Sequence, residues 1–159
     1  MKKVLVTAIA ALTLGAAAQV GIAADNKFAK EVKARKAVMQ VYSFNLGTLG
    51  KMAKGKIPYD AKLAQNSADN LNAAANMKNS AMWPRGSDRN ALGDRTRAKP
   101  EAWTDYPKVA AQSKALKKAA AKMASVAGNG LDAVKANMKS IGQSCKGCHK
   151  ISRGPKPKR

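Results

Sequence analysis

One short motif limits what this chain can become. Its only two cysteines and its only histidine fall together, in Cys145-Lys146-Gly147-Cys148-His149. C-x-x-C-H is the local signature of covalent c-type haem attachment. The two thiols add to the haem vinyl groups as thioethers, and the adjacent imidazole reaches the iron as a fixed axial ligand. The spacing is a geometric demand: both thiols must meet one porphyrin edge while the next residue turns its ring over the metal. A bare C-x-x-C could instead be a redox dithiol or half of a zinc site. The dithiol reading lacks a thioredoxin-like βαβ context, and the zinc reading lacks a further Cys or His. A disulfide would suit an oxidising compartment, but the two-residue spacing followed by His makes that the weaker reading. The motif predicts one covalent haem c held by Cys145, Cys148 and His149.

Residues 1–24 read as a cleaved signal peptide. Lys2 and Lys3 form a basic start, Val4 to Val20 is apolar, and Gly21, Ala23 and Ala24 offer a cleavage site before Asp25. A membrane anchor fits less well, because the run is short for a span of about 20 apolar residues and Gly15 and Gln19 interrupt it. No second apolar stretch suggests a transmembrane segment. Export agrees with the motif, since bacterial c-type haem is attached outside the cytoplasm, so the expected location is periplasmic. The mature chain, 25–159, is one domain's worth of residues and can bury roughly two thirds of its unfolded surface.

Formal net charge is +21, and loss of Lys2 and Lys3 lowers it to +19. Two ionised haem propionates would leave roughly +17. Basic chains invite a nucleic-acid reading, yet no nucleic-acid motif is visible and the basic residues are spread over helical faces. The exception is the tail, where Lys146, Lys150, Arg153, Lys156, Lys158 and Arg159 occur without an acid. Two readings stay open: a solvated surface, or steering toward an acidic redox partner or an anionic membrane surface.

Four helical segments separate along the chain. The first spans about 25–54, with Asp25 or Asn26 as cap and Phe28, Val32, Val38, Met39, Tyr42, Leu46, Leu49 and Met52 at helical spacing. The second spans about 60–78, with Leu63, Ala64, Ala68, Leu71, Ala75 and Met77 inward. The third runs from about 106 to 127 and the fourth from Leu131 to about Ser152. Residues 79–107 are irregular, carry both tryptophans and five prolines or glycines among them Pro84 and Gly93, and form a connection long enough to be functional or mobile. Strand patterning is absent. The prediction is an all-α, antiparallel four-helix bundle carrying haem c near the end of its last helix, followed by a short basic tail.

With these residues in place, the chain resembles the class II cytochromes c, typified by cytochrome c′, in which the haem motif lies on the last helix. Further stretches match more weakly: Arg35-Lys36-Ala37-Val38-Met39 on the first helix, Lys54 to Ala61 between the first two, Lys99-Pro100-Glu101-Ala102-Trp103 entering the third, and Ser144 to His149 with Arg153 at the end. The resemblance implies His149 as proximal ligand and Met39 at the distal position. It implies Arg35 as a holder of a haem propionate, Arg153 as a basic neighbour of the proximal ring, and homodimers packed through the first two helices. Each role has a plainer rival. Met39 also fits a core stripe, Arg35 a solvated helix surface, and Arg153 the basic tail. Trp83 and Trp103 are expected to pack, against the haem or as closure of the long loop, and Trp83 is counted with the haem-binding residues. Tyr42 and Phe44 fit either a dimer interface or the core.

Function turns on the sixth iron position. If Met39 coordinates, outer-sphere electron transfer is the natural task. If the position is open, an apolar distal side suits NO or CO. A peroxidase would need a distal base, and no second histidine exists, so the expectation is electron transfer rather than an enzyme.

Overall fold

The computed structural model describes residues 27–157. The expected signal peptide, 1–24, and the expected caps Asp25 and Asn26 lie outside the described residues. Along the chain come α1 (Ala29–Ala53), α2 (Ala61–Asn76), the single-turn helices α3 (Arg89–Leu92) and α4 (Glu101–Thr104), α5 (Tyr106–Ala124) and α6 (Leu131–Ser152). The four long helices touch in the cyclic order α1–α2–α5–α6–α1, which closes an antiparallel four-helix bundle. Among the described residues there is no strand beyond one isolated bridge, Ala98 with Arg153.

Local chemistry sets the helix ends. Phe28 in the left-handed region (φ 62°) precedes α1, so the helix starts at Ala29 rather than near residue 25. Gly55 (φ 65°) stops it. Gly55 N donates to Met52 O and Lys56 N to Lys51 O, closing the last carbonyls in a Schellman turn that a Cβ would strain. The Asp60 carboxylate accepts from Leu63 N at 2.7 Å and caps α2. Pro107 sits in the first turn of α5, where its missing N–H costs nothing. Gly130 (φ 120°) turns the chain into α6, which runs over Leu131–Ser152 as the sequence predicts.

The largest cluster of buried aliphatic side chains lies toward one end of the bundle, while Val32, Val38 and Leu92 are buried outside it. Leu49 and Met52 of α1, Leu71 of α2, Met123 of α5, and Val134 and Ile141 of α6 are the large fully buried side chains of the cluster. Ala64, Ala68, Ala119 and Ala120 let α2 and α5 approach closely between them. Each buried Leu or Ile stabilises the fold by about 1.5–3 kcal/mol. Two inward assignments fail: Leu63 and Met77 are each 45% exposed. Leu63 lies in the first turn of α2, and Met77 follows its last residue in extended backbone, so neither shares the helix's packed face.

The long connection is ordered. Its two short helices are separated by residues that bond to the end of α6: Lys99 N to Ser152 O at 2.9 Å and Gly154 N to Arg97 O at 2.7 Å. Arg89 N donates to Ala98 O at 2.7 Å, tying the start of α3 to the same seam. Among the described residues, no helix is long and apolar enough to cross a membrane.

This distribution predicts that Leu71→Ala lowers stability by about 2–5 kcal/mol, while Leu63→Ala stays within about 0.5 kcal/mol. Denaturant midpoints at unchanged m-value would check both.

Candidate haem site

Helical geometry decides which side chains of α6 meet. Cys145, Cys148 and His149 stand at i, i+3 and i+4, so they fall within one arc of about 100°. All three are half-buried, while Lys146 and Lys150 beside them are exposed. Both cysteines are free thiols. Ser152 Oγ donates to Cys148 O at 2.8 Å and lies 3.6 Å from its sulfur. Burial, then the neighbouring Cys148, pushes the Cys145 thiol above its ordinary pKa. Burial, then Arg153 and Arg97, holds His149 below its ordinary value. A neutral imidazole keeps the lone pair that a metal requires.

Gly147 lies between the two cysteines against Gln112 of α5, whose side-chain oxygen occupies the space a Cβ would take. The motif is therefore seated closely on α5. Contact between α1 and α6 is much thinner than between α5 and α6. On the α1 side Tyr42, like Cys145, packs against the edge of the aliphatic cluster. Burial, then Cys145 and Cys148, raises its phenol pKa, and its hydroxyl donates to Ala74 O at 2.9 Å. Tyr42 thus belongs with the packed residues, whereas Phe44 is 76% exposed. Met39 lies one turn before Tyr42, at i−3 on the same helix. It is 40% exposed and sits outside the aliphatic cluster.

Arg35 is not a solvated helix residue. It is 4% exposed and points into the long connection. Its Nη1 donates to Ser87 Oγ at 2.8 Å, and its Nη2 donates to Ser87 O at 2.5 Å and to Thr96 Oγ1 at 2.9 Å. The guanidinium stacks 4.9 Å from the centre of the Trp83 ring, within the range of a cation–π contact. Trp83 meets Trp103 edge to face at 5.9 Å, and Trp103 Nε1 donates to Trp83 O at 3.0 Å. Trp83 and Trp103 thus pack on each other within the long connection, with Arg35 on the Trp83 ring. Burial lowers the Arg35 pKa from its ordinary value, yet arginine stays charged at neutral pH.

Arg153 is exposed, and its backbone N donates to His149 O at 3.1 Å as α6 ends. Sequence reasoning missed Arg97, which lies close enough to His149 to act on its charge. It also missed Ser87 and Thr96 as the partners of Arg35. No motif marks such loop residues.

The donors fit the group the motif calls for. Two free thiols and an imidazole held neutral share one helix face. Among the described residues, no cluster of three or more Cys, His, Asp and Glu forms a rival metal site. Cys145 packs against the edge of the aliphatic cluster whose last fully buried member on α6 is Ile141. Fold and motif together define an all-helical protein with covalent haem attachment on its last helix.

The sequence model of the cytochrome c′ family matches residues 30–153. Cytochrome c-554 from Cereibacter sphaeroides is 33% identical over 144 residues, covering 90% of this chain and 94% of its own. A cytochrome c′ structure from Rhodobacter Spheriodes superposes with a TM-score of 0.76 at 30% identity, covering 80% of this chain and 97% of its own. A nitric oxide complex of a cytochrome c prime variant from Alcaligenes xylosoxidans gives a TM-score of 0.68 at 27% identity, covering 80% and 95%. The chain belongs to the cytochrome c′ family. Its cofactor is haem c, covalently bound.

Arg35→Gln removes the charged fork and its stacking. It is expected to cost about 1.5–3 kcal/mol, the range for hydrogen bonds to a charged group. A solvated arginine would give a change within about 0.5 kcal/mol. Thermal unfolding of the haem-bearing protein would measure the difference.

Proposed function

We propose that the chain is an exported, periplasmic electron-transfer protein, with His149 and Met39 as the axial ligands of the haem iron. The observation that carries this reading is the position of Met39. It sits one turn from Tyr42, which packs with Cys145 at the edge of the aliphatic cluster, and is itself outside that cluster. When bound, haem supplies a one-electron iron couple whose potential follows axial ligand, hydrogen bonding and burial. The chain's residues supply the rest. Cys145 and Cys148 fix one edge of the group. His149, kept neutral by burial and two arginines, offers its nitrogen. Met39 offers a soft thioether, a ligand of c-type cytochromes that raises the potential. Ligation on both sides in both oxidation states keeps reorganisation small.

We read the protein as non-enzymatic. General acid–base work at the iron needs a distal base, and the chain's one histidine is committed to the proximal side. Residues 1–24 serve as the cleaved signal peptide, and 25–159 form the mature bundle and tail. An acidic redox partner suits the net charge of +19 left after loss of Lys2 and Lys3. A second copy suits the exposed apolar residues Val41 and Phe44 of α1 and the adjoining Met77. Val41 and Met77 also line a cleft between α1 and α2 with Asn45 and Asn70.

The nitric oxide complex of the Alcaligenes xylosoxidans relative favours one second reading. Here Met39 is an unligated apolar cover, and the sixth position takes NO or CO.

Optical spectra of oxidised and reduced protein, with and without CO, separate the two. Met39 ligation predicts low-spin bands, a ferric sulfur-to-iron charge-transfer band at the red edge, and no CO shift. Met39→Leu should abolish that band and admit CO. High-spin bands and a CO shift in the unaltered protein would contradict electron transfer through a closed site and establish the gas-binding reading.

A further inference from the structure

Three stretches of chain meet beyond the last turn of α6. The start of α3, residues 97–99 of the long connection, and residues 153–154 are joined through backbone bonds at Arg89–Ala98, Gly154–Arg97 and the Ala98–Arg153 bridge. Arg97 adds a bond from Nε to Gly154 O at 2.8 Å. The Arg89 guanidinium lies against Gly154, in the space a Cβ would need. The seam therefore carries Arg89, Arg97 and Arg153 into one neighbourhood. Their mutual repulsion is visible at Arg97, whose pKa is lowered by burial, then by Arg153 and Arg89.

The nearby acids do not pair with them. Among the described residues, none of the three arginines has a carboxylate partner. Asp88, next to Arg89 in the chain, caps α3 by accepting from Asn90 N and Ala91 N and also acts on Arg35. Glu101, on the rim of the same region, is paired with Lys99 at 3.1 Å. Beside the arginines is an open cleft of about 470 Å³, lined by Arg89, Lys99, Glu101, Thr104 and Pro155 among others. Exposed Lys156 follows directly. Holding like charges together opposes folding, so a backbone seam that gathers them makes sense where their field is used. The location says for what. Arg153 N bonds to His149 O, so the charge sits one helical turn from the iron's protein ligand.

We propose that this basic seam, formed by Arg89, Arg97, Arg153 and Lys156 around Gly154, is the docking surface for an acidic redox partner protein. The proposal rests on the electron-transfer reading and adds the place of docking: the proximal side, at the end of α6. Carboxylates of the partner supply the pairing that the nearby acids do not, and contact there brings its redox centre toward His149. Charge complementarity of this kind raises the encounter rate and fixes orientation.

The test uses the haem-bearing full chain and an octaglutamate peptide as acidic probe. Two charge reversals of equal net change are compared: Arg89→Glu with Lys156→Glu at the seam, and Lys117→Glu with Lys118→Glu on the exposed face of α5. The expected result is salt-sensitive binding that shifts backbone amides at 89, 97–99 and 153–156. The seam pair should weaken binding at least tenfold and the α5 pair less than twofold, with both optical spectra unchanged. Equal weakening by the two pairs, or amide shifts spread over α1 and α5, would overturn the proposal, because net charge alone would then explain binding. Oxidation of the reduced protein by hexacyanoferrate(III), followed by stopped flow, reads the other premise separately. No measurable oxidation would contradict the electron-transfer reading whatever the peptide does.

Discussion

Everything at the working end of this molecule depends on three donors sharing one face of one helix. Cys145, Cys148 and His149 coincide in direction only because α6 remains helical through Ser152. A break before the motif would send the thiols and the imidazole different ways. The helix is held to that length from both sides. Gly147 lets it lie close against Gln112 of α5, and residues 97–99 bond to its final turn and to Gly154. The long connection thus terminates the haem-attachment helix rather than merely joining α2 to α5.

The two ends of the bundle are held by different physics. At one end, Leu49, Met52, Leu71, Met123, Val134 and Ile141 interlock over an alanine-rich contact between α2 and α5. At the other, buried Val32, Val38 and Leu92 are joined by polar chemistry: Arg35 on Ser87 and Thr96, the Trp83–Trp103 pair, and the backbone seam at Gly154. Buried hydrogen bonds of this kind specify a geometry more than they add stability. That suits an end where a covalently attached cofactor adds apolar contact area. The thin contact between α1 and α6 belongs to the same design, with Tyr42 and Cys145 at the edge of the aliphatic cluster and Met39 one turn from Tyr42.

The legible part of this architecture was whatever periodicity or a local motif controls. The extent of α6, the Asp60 cap and the glycine stop of α1 each follow from a few adjacent residues. So do the attachment residues, since the motif is contiguous. Long-range partners were not legible. Arg35 looks like a surface residue in a basic helix, and only the fold brings Ser87, 52 positions away, to its guanidinium. Arg97 reaches His149 for the same reason. Leu63 and Met77 failed because apolar spacing continued past the part of α2 that packs. The ordering of residues 79–107 was hidden because it comes from bonds to α6 and not from their own composition.

The central claim is that the cofactor end of the bundle depends on the attached haem while the aliphatic end does not. Hydrogen exchange on the haem-bearing protein and on its Cys145→Ala/Cys148→Ala counterpart tests it most directly. The account predicts slow amides around Leu49–Met52 and Leu131–Ile141 in both proteins. It predicts slow amides in the first half of α1 and over Gly142–Ser152 only when haem is attached. Equal protection of both ends without haem would contradict it.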